Sequence, residues 1–87
     1  MEIKEFIQNF ADNFDDTDIY LFTPETHFRE LDEWTSLLAL STMALVSEEY
    51  GVELSPEEMR NAQTIEDLYN ATKLHLSEKG SKNLMKN

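Results

Sequence analysis

The sequence predicts a small all-α domain: a bundle of four helices with a long loop between the first and second and a short third helix. Three observations predict it. Apolar residues recur at helical spacing in several segments. No segment alternates apolar and polar residues as a half-buried strand does. The 87 residues include only two Gly and two Pro, so little interrupts helix formation. With 40% hydrophobic and 10% aromatic residues the chain is too apolar for a disordered acidic tail. At this length it holds one core, and it shows no internal repeat of useful period.

Residues 2–14 place Ile3, Phe6, Ile7, Phe10, Ala11 and Phe14 on one stripe and polar residues opposite, which predicts the first helix. Asp15-Asp16-Thr17-Asp18 breaks the pattern. The connection then runs to about Thr35, unusually long for a small domain. It carries Tyr20, Leu21, Phe22, Phe28, Leu31 and Trp34, enough apolar surface to be pinned across the bundle, and Thr23-Pro24-Glu25 is placed to cap a single helical turn.

Ser36 to Tyr50 contains neither Gly nor Pro and forms the second helix, with Gly51 as its stop. Ser36 itself reads as the N-cap. Ala39, Met43, Val46 and Tyr50 share one face of this helix; Leu37, Leu40 and Ala44 share another. Val52 and Leu54 make an apolar link. Ser55-Pro56-Glu57-Glu58 then gives an N-cap, a Pro at the first helical position and an acidic first turn, opening a third helix that ends near Ala62. Thr64-Ile65-Glu66-Asp67 resembles a capping box with Asp67 in the usual Glu or Gln place, and Ile65, Leu68, Tyr69 and Thr72 form the inner face of the fourth helix. Gly80 is its expected outer limit. The expected organisation is one domain over residues 1–76, followed by a polar, flexible tail over 77–87.

Charge narrows the function. Eighteen acidic against seven basic side chains give a net charge of −11, and residues 1–72 hold seventeen of the acids with three of the bases. Such a field repels phosphate backbones and anionic membranes and attracts basic protein surfaces. The absence of Cys removes disulfides, thiolate metal sites and thiol nucleophiles. No apolar run approaches the roughly 20 residues that span a bilayer, and Met1-Glu2-Ile3-Lys4-Glu5 lacks the order of a signal peptide. A cytoplasmic monomer is expected.

Catalytic and metal motifs fail when tested. An EF-hand loop begun at Asp16 would have Leu21 at the glycine position and His27 at the closing glutamate position. His27 and His75 have no acid or Cys at zinc-ligand spacing. Ser36 lacks a nucleophile elbow, a base and an orienting acid. No metal and no enzyme activity are expected. What stands out is the place of Ser36, where the long loop meets a helix N-terminus whose dipole favours an anion.

The order of these features resembles the acyl carrier proteins, small acidic four-helix carriers of a 4′-phosphopantetheine arm. The resemblance runs from about Ile3 to Leu76. Phe28-Arg29-Glu30-Leu31 followed by Trp34-Thr35-Ser36-Leu37 is similar to the family's loop end and Asp-Ser-Leu attachment motif. Glu48 to Leu54 resembles the exit of its second helix, and Thr64 to Leu68 the start of its last.

The resemblance implies a carrier, not an enzyme, with the arm installed on Ser36 from coenzyme A by a phosphopantetheinyl transferase. An acyl or aminoacyl thioester would then pass to partner enzymes with basic surfaces, in lipid or secondary-metabolite biosynthesis. It implies that Phe6, Phe10, Ala39, Met43, Val46, Tyr50, Leu54, Ile65 and Leu68 line an interior that an acyl chain enters. It implies partner contact through Leu37, Leu40 and Ala44, rimmed by Glu48, Glu30, Asp32 and Glu33; packing of that stripe under the long loop is the competing expectation. Thr35 stands where the family most often has Asp, a residue expected to help the transferase. Leu38, Ser41 and Ser47 are neutral where the family's second helix alternates acids on its exposed face, which points to a dedicated partner. The alternatives are an unmodified acidic interaction module sharing the fold and, less well supported, a peptidyl carrier cut from a larger synthetase.

Overall fold

The computed structural model of the chain describes the backbone of residues 2–86 and the side chains of residues 2–78. It contains α1 (Ile3–Ala11), α2 (Ser36–Tyr50), α3 (Pro56–Asn61) and α4 (Ile65–Lys86), with short 3-10 turns at Ile19–Leu21 and Phe28–Glu30 inside the long loop. Among the described residues there is no strand, only an isolated antiparallel bridge between His27 and Thr64.

The local chemistry explains most boundaries. Gly51 ends α2 at φ 66°, a left-handed conformation that glycine adopts without steric cost. At α3 the Ser55 hydroxyl accepts from the Glu58 N–H and the Glu58 carboxylate accepts from the Ser55 N–H, a complete capping box. Thr64 and Asp67 make the same exchange at the start of α4, and Asp67 also accepts from the Gln63 N–H at 2.9 Å.

Some boundaries differ from the sequence expectation. α1 stops at Ala11 and not Phe14, because Asn13 and Phe14 donate to Phe10 and Ala11 in tighter i→i+3 bonds that turn the chain and send Phe14 into the core. Pro24 and Glu25 form a reverse turn closed by Thr26 N–H donating to Thr23, and the helical turns lie on either side of it. α4 passes Gly80 and reaches Lys86; an interior Gly costs a helix about 1 kcal/mol relative to Ala, which weakens without terminating it. The segment read as a polar tail lies, beyond Glu78, outside the residues whose side chains are described.

The core is largely aromatic. Phe10 is fully buried, and its ring centre lies 5.3 Å from Phe14, 6.1 Å from Phe22, 5.9 Å from Phe28 and 6.2 Å from Trp34. Phe22, Phe28 and Trp34 come from the long loop, so α1 is the surface on which that loop is fixed. At the other end of α1, Phe6 packs on Tyr50 of α2 and Tyr69 of α4, each at 5.7 Å. Thr42 and Thr72 are also fully buried. Their hydroxyls donate to the carbonyls of Leu38 and Leu68, so neither is left unpaired in the core.

Candidate functional site

The long loop sets the position of Ser36. Trp34 stacks on Phe10 and Phe14 and meets Phe28 edge-on at 4.8 Å, which anchors the residues just before the serine. Glu33 turns back on the chain: its carboxylate accepts from the Asp15 N–H at 2.7 Å, the Asp16 N–H at 3.0 Å and the Thr17 hydroxyl at 2.6 Å. These bonds, the Thr17 hydroxyl foremost, hold its pKa below the ordinary glutamate value. The middle of the loop is tied to α4 by Ile65 N–H donating to Thr26 and Glu66 N–H donating to Pro24.

α2 begins with Thr35 as its N-cap, not Ser36. Thr35 is extended at φ −144°, ψ 171°, and its hydroxyl accepts from the Leu38 N–H at 3.3 Å. Ser36 is therefore the first helical residue. It is exposed, and its hydroxyl has no partner among the described residues. The sequence expectation puts the cap at Ser36; the structure gives it to the preceding Thr35, a β-hydroxy residue equally able to accept the Leu38 N–H.

The predicted partner surface divides. Leu37 is 71% exposed, Leu40 63%, and Ala44 is exposed as well, so this stripe does not pack under the loop. Asp32 and Glu48 are exposed, whereas Glu33 is engaged by residues 15–17. Leu38, read as exposed, packs partly against the core. Of the loop's apolar residues, Phe22 and Phe28 are buried but Tyr20 and Leu21 are not; they stand on a turn whose next residue, Phe22, takes the core position.

The residues expected to line an acyl-accepting interior lie together. Phe6, Phe10, Val46, Leu54, Ile65 and Leu68 are buried, and Ala39, Met43 and Tyr50 pack at the edge of that cluster. The Tyr50 hydroxyl accepts from Asn9 Nδ2 at 2.9 Å; partial burial raises its pKa, and that hydrogen bond works the other way. A cleft of about 520 Å³ opens elsewhere, between Leu21 and Leu31, with Asp16, Asp18, Asp32 and Glu33 around it.

Sequence reasoning missed Arg29. Its guanidinium donates to the carbonyls of Met59, Arg60 and Ala62, closing the C-terminal end of α3. It is the only Lys or Arg between Lys4 and Arg60. The Asp and Glu side chains of the loop and α2 are therefore joined on that stretch by a single Lys or Arg, Arg29, which is directed at α3. His75 pairs with Glu58 at 2.8 Å and His27 lies exposed. No group of three or more His, Cys, Asp or Glu among the described residues is placed to hold a metal, and no helix there is long and apolar enough to cross a membrane.

A family model described as phosphopantetheine attachment site matches residues 5–72, well over half of the chain. No curated protein and no solved structure matches.

Proposed function

We propose, from the premise that this chain belongs to the phosphopantetheine attachment site family, that it carries an acyl or aminoacyl group on an arm fixed to Ser36. Domains of this family are carriers without catalytic activity, and what they hold covalently is 4′-phosphopantetheine. The observation that supports Ser36 as the attachment point is its free, exposed hydroxyl on the first residue of α2.

The residues present fit the group. A phosphodiester at Ser36 would meet the unpaired N–H groups and the positive end of the α2 dipole, which offset the carboxylates nearby. Thr35 holds the helix start independently, so a transferase can engage the serine oxygen without dismantling the cap. The bound arm supplies a thiol for thioester chemistry that this Cys-free chain lacks. Trp34 and Glu33 keep the serine at a fixed place on the surface, which lowers the ordering cost of docking.

Leu37, Leu40 and Ala44 adjoin Ser36 on the open face of α2 and would meet the apolar centre of an acyl-handling enzyme. Asp32 and Glu48 would meet its basic rim. The net charge of −11 opposes self-association and supports a monomer. A cytoplasmic setting is proposed on the same footing as these partners.

Intact mass of the protein from its own cells, beside Ser36→Ala, tests the reading. One added phosphopantetheine, lost in the variant, is the expected result. An unmodified mass that persists after incubation with coenzyme A and several transferases would instead favour an acidic interaction module that keeps the carrier fold, for which neutral Thr35 is the supporting feature.

A further inference from the structure

Ile19, Tyr20 and Leu21 are consecutive, apolar and 57%, 87% and 55% exposed. Three large side chains in a row standing in water are unusual on a small soluble domain and mark a contact surface. Their turn is built, not frayed. The Asp18 carboxylate accepts from the Tyr20 N–H at 3.0 Å, Asp18 O accepts from the Leu21 N–H at 2.9 Å, and Ile19 O accepts from the Phe22 N–H at 3.1 Å. Phe22, next in the chain, is buried against Phe14 at 5.0 Å, and the Thr26 hydroxyl donates to Leu21 O. The outcrop is thus presented in a fixed shape.

The open cleft lies directly beside it. Leu21 and Leu31 supply its apolar walls, and Asp16, Asp18, Asp32 and Glu33 surround them, the last two just before Thr35 and Ser36 in the chain. At about 520 Å³ it has room for apolar side chains of a partner. The stretch that builds the cleft leaves no Lys or Arg free to compete with one: Arg29 is the only Lys or Arg from Glu5 to Met59, and it is held by α3 carbonyls.

We propose that the Ile19–Leu21 turn and its cleft are a docking surface, separate from the α2 stripe, for a cationic amphipathic segment of a partner protein. Apolar side chains of that segment enter between Leu21 and Leu31, Tyr20 packs over them, and Lys or Arg residues meet the surrounding carboxylates. Charge selects this occupant. A second copy of this chain, an anionic bilayer and a nucleic acid all meet a net charge of −11. The inference goes beyond the carrier reading, because the surface is complete in the unmodified chain.

The test titrates the unmodified ¹⁵N-labelled full chain with an amphipathic Leu/Lys helical peptide, following amide shifts, with a Ser/Lys peptide and phosphatidylcholine vesicles in parallel. Shifts centred on residues 16–21 and 31–33 are expected, with affinity reduced about tenfold or more by Tyr20→Ser and by Leu21→Ser, the effect of losing one interface anchor. Tyr20 is so exposed that its replacement leaves the fold intact, which circular dichroism checks. Equal affinity for the Ser/Lys peptide, shifts confined to Leu37–Ala44, an unchanged affinity in both variants, no binding, or preference for the vesicles would each overturn the proposal. Ser36→Ala should titrate like the parent, so loss of the carrier reading and loss of this surface are told apart.

Discussion

Thr35 Oγ accepts the Leu38 N–H at the N-terminus of α2, and the neighbouring Ser36 hydroxyl is left without a partner. Two adjacent hydroxyl residues thereby divide two tasks, holding the helix start and presenting a reactive oxygen. The exchange of roles relative to a simple N-cap serine has energetic consequences for both positions.

Ser36→Ala should lose covalent modification while its unfolding free energy changes by less than about 0.5 kcal/mol, as for an exposed residue outside a cap. Thr35→Ala should cost about 1 kcal/mol. Thr35→Asp should keep the cap and change only the charge beside the serine. Urea unfolding of the three variants with intact mass decides it; a larger loss in Ser36→Ala than in Thr35→Ala would assign the cap to the serine.

Arg29→Ala should destabilise the domain by about 2 kcal/mol, the range for hydrogen bonds to a charged group whose removal leaves carbonyls uncompensated. The effect should appear first in α3, where Met59, Arg60 and Ala62 lose their donor. Amide exchange read residue by residue would show protection falling in Pro56–Asn61 before α1; uniform loss across all helices would contradict the assignment.

The helices were legible because their signals are local. Periodicity marked α1, Ser36 to Tyr50 matched α2 at both ends, and Ser55 and Thr64 announced α3 and α4 within a few residues of chain. The ties that set the site in place span long separations. Glu33 reaches residues 15–17 and Arg29 reaches residues 59–62, pairings that no window of sequence contains. Local hydrophobicity also failed to sort the loop, because Leu21 and Phe22 are both apolar yet one lines an open cleft and the other fills the core. Thr42 was hidden for a related reason: its burial depends on returning its hydroxyl to Leu38 O, which composition does not reveal.

Phe10→Ala should abolish fixed packing. The ring is fully buried and meets four other aromatics, three of them, Phe22, Phe28 and Trp34, on the loop. Truncations of this kind cost about 3–5 kcal/mol, comparable with the whole stability of a small domain. Near-ultraviolet circular dichroism should lose the Trp34 signal while helical signal persists in part. A variant with an unchanged Trp34 band would show that the loop is fixed by something other than Phe10.

Three carboxylates tie stability to pH. Asp67 is held below its ordinary 3.8 by the Gln63 and Thr64 N–H groups, and Glu33 below 4.5 by the Thr17 hydroxyl and the Asp15 N–H. At Glu58 burial pushes upward, but the Ser55 N–H and His75 outweigh it and the net direction is down. Each binds a proton more readily in the unfolded chain, so its contribution is complete above the ordinary value and is lost as pH falls through the lowered one. Asp67→Ala should therefore be about 1 kcal/mol less stable than the parent at neutral pH, with the gap closing below pH 3.8. Repulsion among the other carboxylates is common to both proteins and cancels from the difference. A gap that stayed constant into that range would remove Asp67 from the account.

Repulsion itself should be visible in salt. Seventeen acids against three bases over residues 1–72 leave the bundle self-repelling, and the one Arg in the middle of that span is occupied at α3. Screening shortens the reach of the field to about 10 Å at 0.1 M salt and about 3 Å at 1 M. Compact folding concentrates these charges more than the unfolded chain does, so screening stabilises the folded state more. Tm should rise steadily from low to moderate NaCl, and charge-reducing changes at exposed positions that make no hydrogen bond, such as Glu48→Gln, should raise Tm at low salt and lose that advantage at high salt. Glu33→Gln should behave in the opposite sense despite removing the same charge, because it weakens the tie to residues 15–17. Equal gains from the two substitutions would mean that net charge alone, and not the Glu33 clasp, governs this part of the loop.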